Sequence, residues 1–175
     1  MDLKYTVKSK KLYDRGNEAL SYRIEIPRIE GLAAINEFYG SIAENCERYC
    51  NSTLFETVCE ARRVEQGVRY SYRFVARVTH CADGLLSVLF CARLREGRQT
   101  LSHYERAHTW DVTDQSLLPP RCICKRAQGR KVSKKLKKHE LEGVFLCDGK
   151  IADIRSADVE RILSEYREEY AMKLQ

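Results

Sequence analysis

The apolar residues of this chain change their spacing twice, and that change restricts the fold more than any single motif. Around the turn-forming cluster Asp14-Arg15-Gly16-Asn17 lie two extended segments, residues 3–13 and 18–26. In the second, Leu20, Tyr22, Ile24 and Ile26 alternate with Ser21, Arg23 and Glu25, so one face of a strand is buried, and Pro27 is expected to end it. After Gly31 the step lengthens. Leu32, Ile35, Phe38, Tyr39, Ile42, Cys46, Tyr49, Cys50, Leu54 and Val58 recur at threes and fours, the stripe of an amphipathic helix running to about Val64 with a break expected near Asn51-Ser52.

The period then returns to two. Tyr70 to Thr79, Leu86 to Leu94 and Leu101 to Val112 form three further strands joined at Asp83-Gly84 and Glu96-Gly97-Arg98. Connections this short force antiparallel neighbours, which makes a meander. Pro119-Pro120 marks an irregular crossing, and Asp148-Gly149 joins Val144-Phe145-Leu146 to Ile151–Ile154 in a hairpin. Ser156 is the expected N-cap of a last helix, whose inner stripe is Val159, Ile162, Leu163, Tyr166 and Tyr170. The expected fold is therefore α+β: an antiparallel sheet, hairpin plus three-stranded meander, with a long helix in the N-terminal half and a C-terminal helix packed on it. With no internal repeat and no linker, residues 1–175 are expected to form a single domain.

Charge adds a different kind of information. Of 31 Lys and Arg, nine fall between Arg121 and His139 without one Asp or Glu: Arg121, Lys125, Arg126, Arg130, Lys131, Lys134, Lys135, Lys137 and Lys138. The remaining 22 stand against all 25 acidic residues, so the net charge of +6 comes from one segment on a slightly acidic body. That basic patch is the candidate binding site, for an acidic protein or envelope surface or, as the alternative, for nucleic acid. Nucleic acid is not favoured, because the segment has no aromatic side chain for stacking on bases and no groove-reading motif. An apolar share of 43% with 9 Gly and 3 Pro excludes collagen-like and wholly disordered chains.

Eight cysteines, at 46, 50, 59, 81, 91, 122, 124 and 147, are expected to be reduced thiols and mainly core packing, because a chain of this length has no need of a disulfide framework. Their spacing does not supply the paired doublets of a zinc site, so no metal is expected. The histidines, at 80, 103, 108 and 139, offer Cys81 with His103 as a cross-strand nucleophile pair, but strand alternation sets most such pairs on opposite faces. Without a phosphate loop or nucleophile elbow, no catalytic residue, no cofactor and no enzymatic activity are expected. No apolar run reaches the roughly 18 residues of a membrane span. As it stands the chain is expected to be cytoplasmic, and extracellular if an export signal or anchor has been removed from it.

The order of motifs carries one further expectation. Ser21-Tyr22-Arg23-Ile24-Glu25-Ile26-Pro27-Arg28-Ile29-Glu30-Gly31-Leu32, Ile35-Asn36-Glu37-Phe38-Tyr39, Asp83-Gly84-Leu85-Leu86-Ser87-Val88, Thr109-Trp110-Asp111-Val112 and Asp148-Gly149-Lys150-Ile151 follow one another over about residues 13–155. This order resembles the extracellular domain of RsiV-type anti-sigma factors and an accessory domain of some peptidoglycan deacetylases. The glycine usual after the Thr-Trp-Asp-Val region is replaced here by Thr113-Asp114-Gln115. The resemblance implies a bacterial α+β module without catalytic chemistry that binds or senses a protein or cell-envelope ligand, which in the anti-sigma factors is lysozyme.

Overall fold

In a computed structural model, which describes residues 2–65, 67–123, 144–154 and 157–172, the chain opens with a long hairpin. Strands β1 (Leu3–Asp14) and β2 (Asn17–Ile29) pair antiparallel from Leu3↔Ile29 to Asp14↔Asn17, with a register shift between Leu12 and Tyr13. Helix α1 (Ala33–Tyr49), a single π-helical stretch (Cys50–Leu54) and helix α2 (Phe55–Val64) follow. Strands β3 (Tyr70–Ala82), β4 (Leu85–Glu96), β5 (Gln99–Asp111) and β6 (Ser116–Leu117) complete a six-stranded sheet in the order β1-β2-β3-β4-β5-β6. A separate hairpin of β7 (Val144–Cys147) and β8 (Lys150–Asp153) precedes the C-terminal helix Val159–Met172. The α+β class and its two helical regions are as the periodicity predicts. No helix among the described residues is long and apolar enough to cross a membrane.

Three details differ from the sequence expectations. The sheet is mixed, because β2 and β3 are parallel from Leu20↔Tyr70 to Glu25↔Val75: a helical crossover carries the chain from the end of the sheet where β2 finishes back to the opposite end, where β3 starts. Pro27 does not end β2, which continues to Ile29 with Pro27 opposite Tyr5. The ladder to β3 stops at Glu25, so at Pro27 one side of β2 has become an edge, where a missing N–H leaves no ladder bond unmade. The long helix does not break at Asn51-Ser52 but passes through the π-helical turn.

The turns obey local chemistry. Arg15-Gly16, Asp83-Gly84 and Asp148-Gly149 each place two successive residues at positive φ, the mirror-image turn that suits strand twist. Gly31, at φ +80, reverses the chain between β2 and α1 in a conformation that a side chain would strain.

The chain divides into two compact units, Met1–Val75 with Cys91–Tyr104, and Ala76–Phe90 with Glu105–Gln175. In the first, Leu20, Tyr22 and Ile24 of β2 and Tyr70 and Phe74 of β3 are buried, as are Ile35, Tyr39, Ala43, Cys50, Leu54 and Val58 of the helical stretch. Tyr39 meets the edge of Phe38 with ring centroids 5.3 Å apart. In the second, Leu85, Ile123, Val144 and Leu146 form a buried cluster with Leu118 and Ile151 against it. Here a set of buried hydroxyls ties β7 to the strands: Thr79 Oγ1 donates to the Leu146 carbonyl at 2.6 Å, the Leu146 N–H donates to Ser87 Oγ at 3.0 Å, and Ser87 is hydrogen-bonded in turn to Thr109. The C-terminal helix is capped by Asp158, whose carboxylate accepts the Arg161 N–H at 3.1 Å, and buries Val159, Ile162 and Leu163. The cap expected at Ser156 and the inner side chains expected at Tyr166 and Tyr170 lie outside the described residues.

Candidate functional site

The first unit carries an open groove of about 810 Å³ between β1 and α1. Its origin lies in the strand. Residues two apart on a strand share a face, and on β1 the face toward the helix reads Lys4, Thr6, Lys8 and Lys10 before Leu12, so it is polar along the groove. Such a face cannot be drawn into the core with β2, so it lines a cleft instead. The opposite wall comes from α1, where Glu37, Gly40 and Glu44 follow at three and four residues and so lie on one side of the helix. A Cβ placed on Gly40 would meet nothing within 4 Å, so the helix backbone is open to the groove at mid-length.

The charges on these walls are largely of opposite sign. Lys8 Nζ reaches Glu47 at 2.7 Å across the far end, while Lys4 pairs with Asp2 at 3.1 Å near the entrance. The Lys8 contact holds the Glu47 carboxyl below its ordinary range and raises the Lys8 ammonium above its own. The β2 end of the groove is fixed by Asn36. Its Oδ1 accepts the Ile29 N–H at 2.8 Å and its Nδ2 donates to the Ile29 carbonyl at 2.7 Å. The side chain thus completes the last residue of β2 as a neighbouring strand would, and does so beside Leu32, which has no oxygen with which to cap α1.

Next to the groove, Cys50-Asn51-Ser52-Thr53 explains the π-helical turn. These short polar side chains compete with the helix backbone: Asn51 Nδ2 donates to the Glu47 carbonyl at 2.8 Å and Ser52 Oγ to the Arg48 carbonyl at 2.8 Å. Asn51 Nδ2 also reaches the Tyr22 hydroxyl at 3.1 Å, and that hydroxyl donates to Glu47 at 3.3 Å. Tyr72 donates to Cys46 Sγ at 3.5 Å. Burial raises the Cys46 thiol and pushes Cys50 up to about 12, so both are held protonated. They are unsuited to act as thiolate ligands or nucleophiles, in keeping with a packing role.

Of the nine predicted basic residues, Arg121 is exposed in a helical turn in which the Cys122 N–H bonds the Pro119 carbonyl at 2.8 Å. Lys125, Arg126, Arg130, Lys131, Lys134, Lys135, Lys137 and Lys138 lie outside the described residues. The seven described cysteines are all thiols rather than disulfides, with Cys50 and Cys91 buried as expected and Cys81, contrary to a core role, exposed. His103 is placed beside Cys91 rather than Cys81, with Cys91 Sγ and His103 Nε2 3.1 Å apart. The groove went unseen in the sequence because its two walls are some 30 residues apart; the polar face of β1, alternating Lys with Thr and Lys, was its one legible signal.

No family model matches the chain, and no curated protein matches it. Several solved structures are similar to it, among them two of one family. A DUF3298 family protein from Pseudomonas aeruginosa PAO1 superposes with a TM-score of 0.45 at 12% identity, over 78% of this chain and 69% of that one. A member of the same family from Bacteroides fragilis NCTC 9343 gives 0.45 at 13% identity, over 79% and 71%. DUF3298 denotes a domain of unknown function.

Proposed function

We propose that this chain is a non-enzymatic binding module that takes an extended segment of a protein ligand into the groove between β1 and α1. The observation that carries the proposal is the pairing of a lysine-bearing strand wall with a glutamate-bearing helix wall along one open cleft of about 810 Å³. An extended segment has side chains on alternate sides, so acidic groups would face Lys4 and Lys8 while basic groups faced Glu37 and Glu44. From Lys4 to Lys8 the strand rises about 13 Å, room for four or five extended residues. The likeness of the motif order to RsiV-type anti-sigma factors supports a protein or envelope ligand in place of a small metabolite.

Calorimetric titration with lysozyme and with soluble peptidoglycan fragments tests this, using the wild-type chain and a Gly40→Phe variant whose ring would project into the open groove. The expected result is saturable binding of lysozyme that weakens at least tenfold in Gly40→Phe while the far-ultraviolet circular dichroism is unchanged. Binding of neither probe would remove the ligand class, and binding indifferent to Gly40→Phe would remove the groove.

A further inference from the structure

At the hairpin end of β4 and β5, within the first unit, three polar side chains converge. Cys91 and Arg93 are two residues apart on β4 and therefore share a face. His103 of β5 meets both: its Nε2 lies 3.1 Å from Cys91 Sγ and 3.4 Å from Arg93 Nη2. A guanidinium can only donate, so Nε2 facing it presents its lone pair and the ring proton sits on Nδ1. The same lone pair is within reach of the thiol proton. Nε2 is thereby the base toward which that proton can move, and the guanidinium favours the sulfur as a thiolate.

We infer that Cys91 is a redox-reactive thiol, activated by His103 and Arg93, that is oxidised by hydrogen peroxide to a sulfenic acid. The thiol proton passes to His103 and the sulfur attacks one peroxide oxygen. The S–O bond forms as the O–O bond breaks, and the departing hydroxide takes the proton back from His103 to leave as water. Sulfur loses two electrons, the peroxide gains them, and one thiol with one peroxide becomes one sulfenic acid and one water. Cys91 is only 5% exposed, which admits a peroxide-sized oxidant and disfavours a larger one, whereas His103 is exposed. The inference does not depend on the groove or on any ligand in it.

The remaining thiols make internal controls. Cys50 is as buried as Cys91 but, among the described residues, has no hydrogen bond from a histidine or guanidinium to its sulfur, and Cys81 is exposed. In the test, the full-length chain is exposed to hydrogen peroxide, quenched with catalase, denatured, and alkylated with iodoacetamide, and the fraction of each cysteine still free is read by peptide mass mapping. Because labelling follows denaturation, it reports oxidation rather than access of the reagent. Cys91 is expected to be lost at least ten times faster than Cys50 and faster than Cys81, with the rate at Cys91 falling about tenfold in His103→Gln and severalfold in Arg93→Gln. Oxidation of Cys81 ahead of Cys91 would overturn the inference, because exposure would then suffice. An unchanged Cys91 rate in a folded His103→Gln chain would overturn it as well. Should that variant fail to fold, the order of the three thiols in the wild-type chain decides.

Discussion

Replacement of Asn36 by alanine would show how far one side chain holds the join between sheet and helix. The wild-type amide makes two hydrogen bonds, of 2.8 and 2.7 Å, to the two backbone groups of Ile29, a residue 2% exposed. Water cannot readily replace either bond. With about 1 kcal/mol for each bond and a further allowance for backbone groups left without a partner, Asn36→Ala should cost about 2–3 kcal/mol. Unfolding entropy of about 2.1 cal/mol/K per residue over 175 residues turns that into a Tm lower by about 5–8 °C. Urea denaturation and thermal circular dichroism would measure both. Asn36→Asp separates the two bonds. Its carboxylate still accepts the Ile29 N–H but now faces the Ile29 carbonyl oxygen, and only its protonated form can donate to that oxygen. The introduced group thus has a raised pKa in the folded state. Its destabilisation is absent below about pH 3.9, the unfolded value, and grows as the pH rises through the folded one. The Asn36→Asp deficit should therefore shrink on acidification while the Asn36→Ala deficit does not. An Asn36→Ala chain within about 0.5 kcal/mol of wild type, or a pH-independent Asn36→Asp deficit, would refute the assignment.

Further outcomes follow from other parts of the fold. Gly40→Ala should stabilise the chain by up to about 1 kcal/mol, since α1 gains a better helix former at a place where the methyl meets nothing; a lower urea midpoint would contradict this. Ser87→Ala removes the acceptor of the Leu146 N–H and should cost about 1–3 kcal/mol, with amide exchange accelerated at Leu146 and not at Ile24. The Lys8–Glu47 pair is exposed and salt-sensitive, so its contribution is small. Because Glu47 titrates below its ordinary 4.5, that contribution is present above this value and lost as the pH falls through the lowered one. Lys8, raised above 10.5, loses its share only as the pH climbs beyond that. Denaturant midpoints between pH 3 and 7 should consequently depend less on pH in Glu47→Gln than in wild type.

The sequence by itself determined the elements and their class. Period two and the stripe at threes and fours are local properties of the backbone, so β1 through β5, the long helix and the last hairpin were legible, as were the Gly-containing turns whose positive φ the residues demand. Pairing, by contrast, is non-local. That β2 and β3 run parallel, and that Pro27 continues a strand, depended on where one ladder stopped at Glu25. The Asn51-Ser52 site was correctly marked as irregular, but whether side-chain competition breaks a helix or widens one turn is decided by whether the flanking residues stay packed. Here Cys50 and Leu54 do.

The candidate sites show the same division. The polar face of β1 was written in its alternation, yet it became a groove only once α1 had been laid opposite. Counting back from the Gly97-Arg98 turn places Tyr104 opposite Cys91, with His103 on the other face, whereas in the structure it is His103 that lies 3.1 Å from the thiol. Tertiary structure decided these contacts because a strand's side chains change faces with every residue, so a pattern that fixes the strand leaves its partners open.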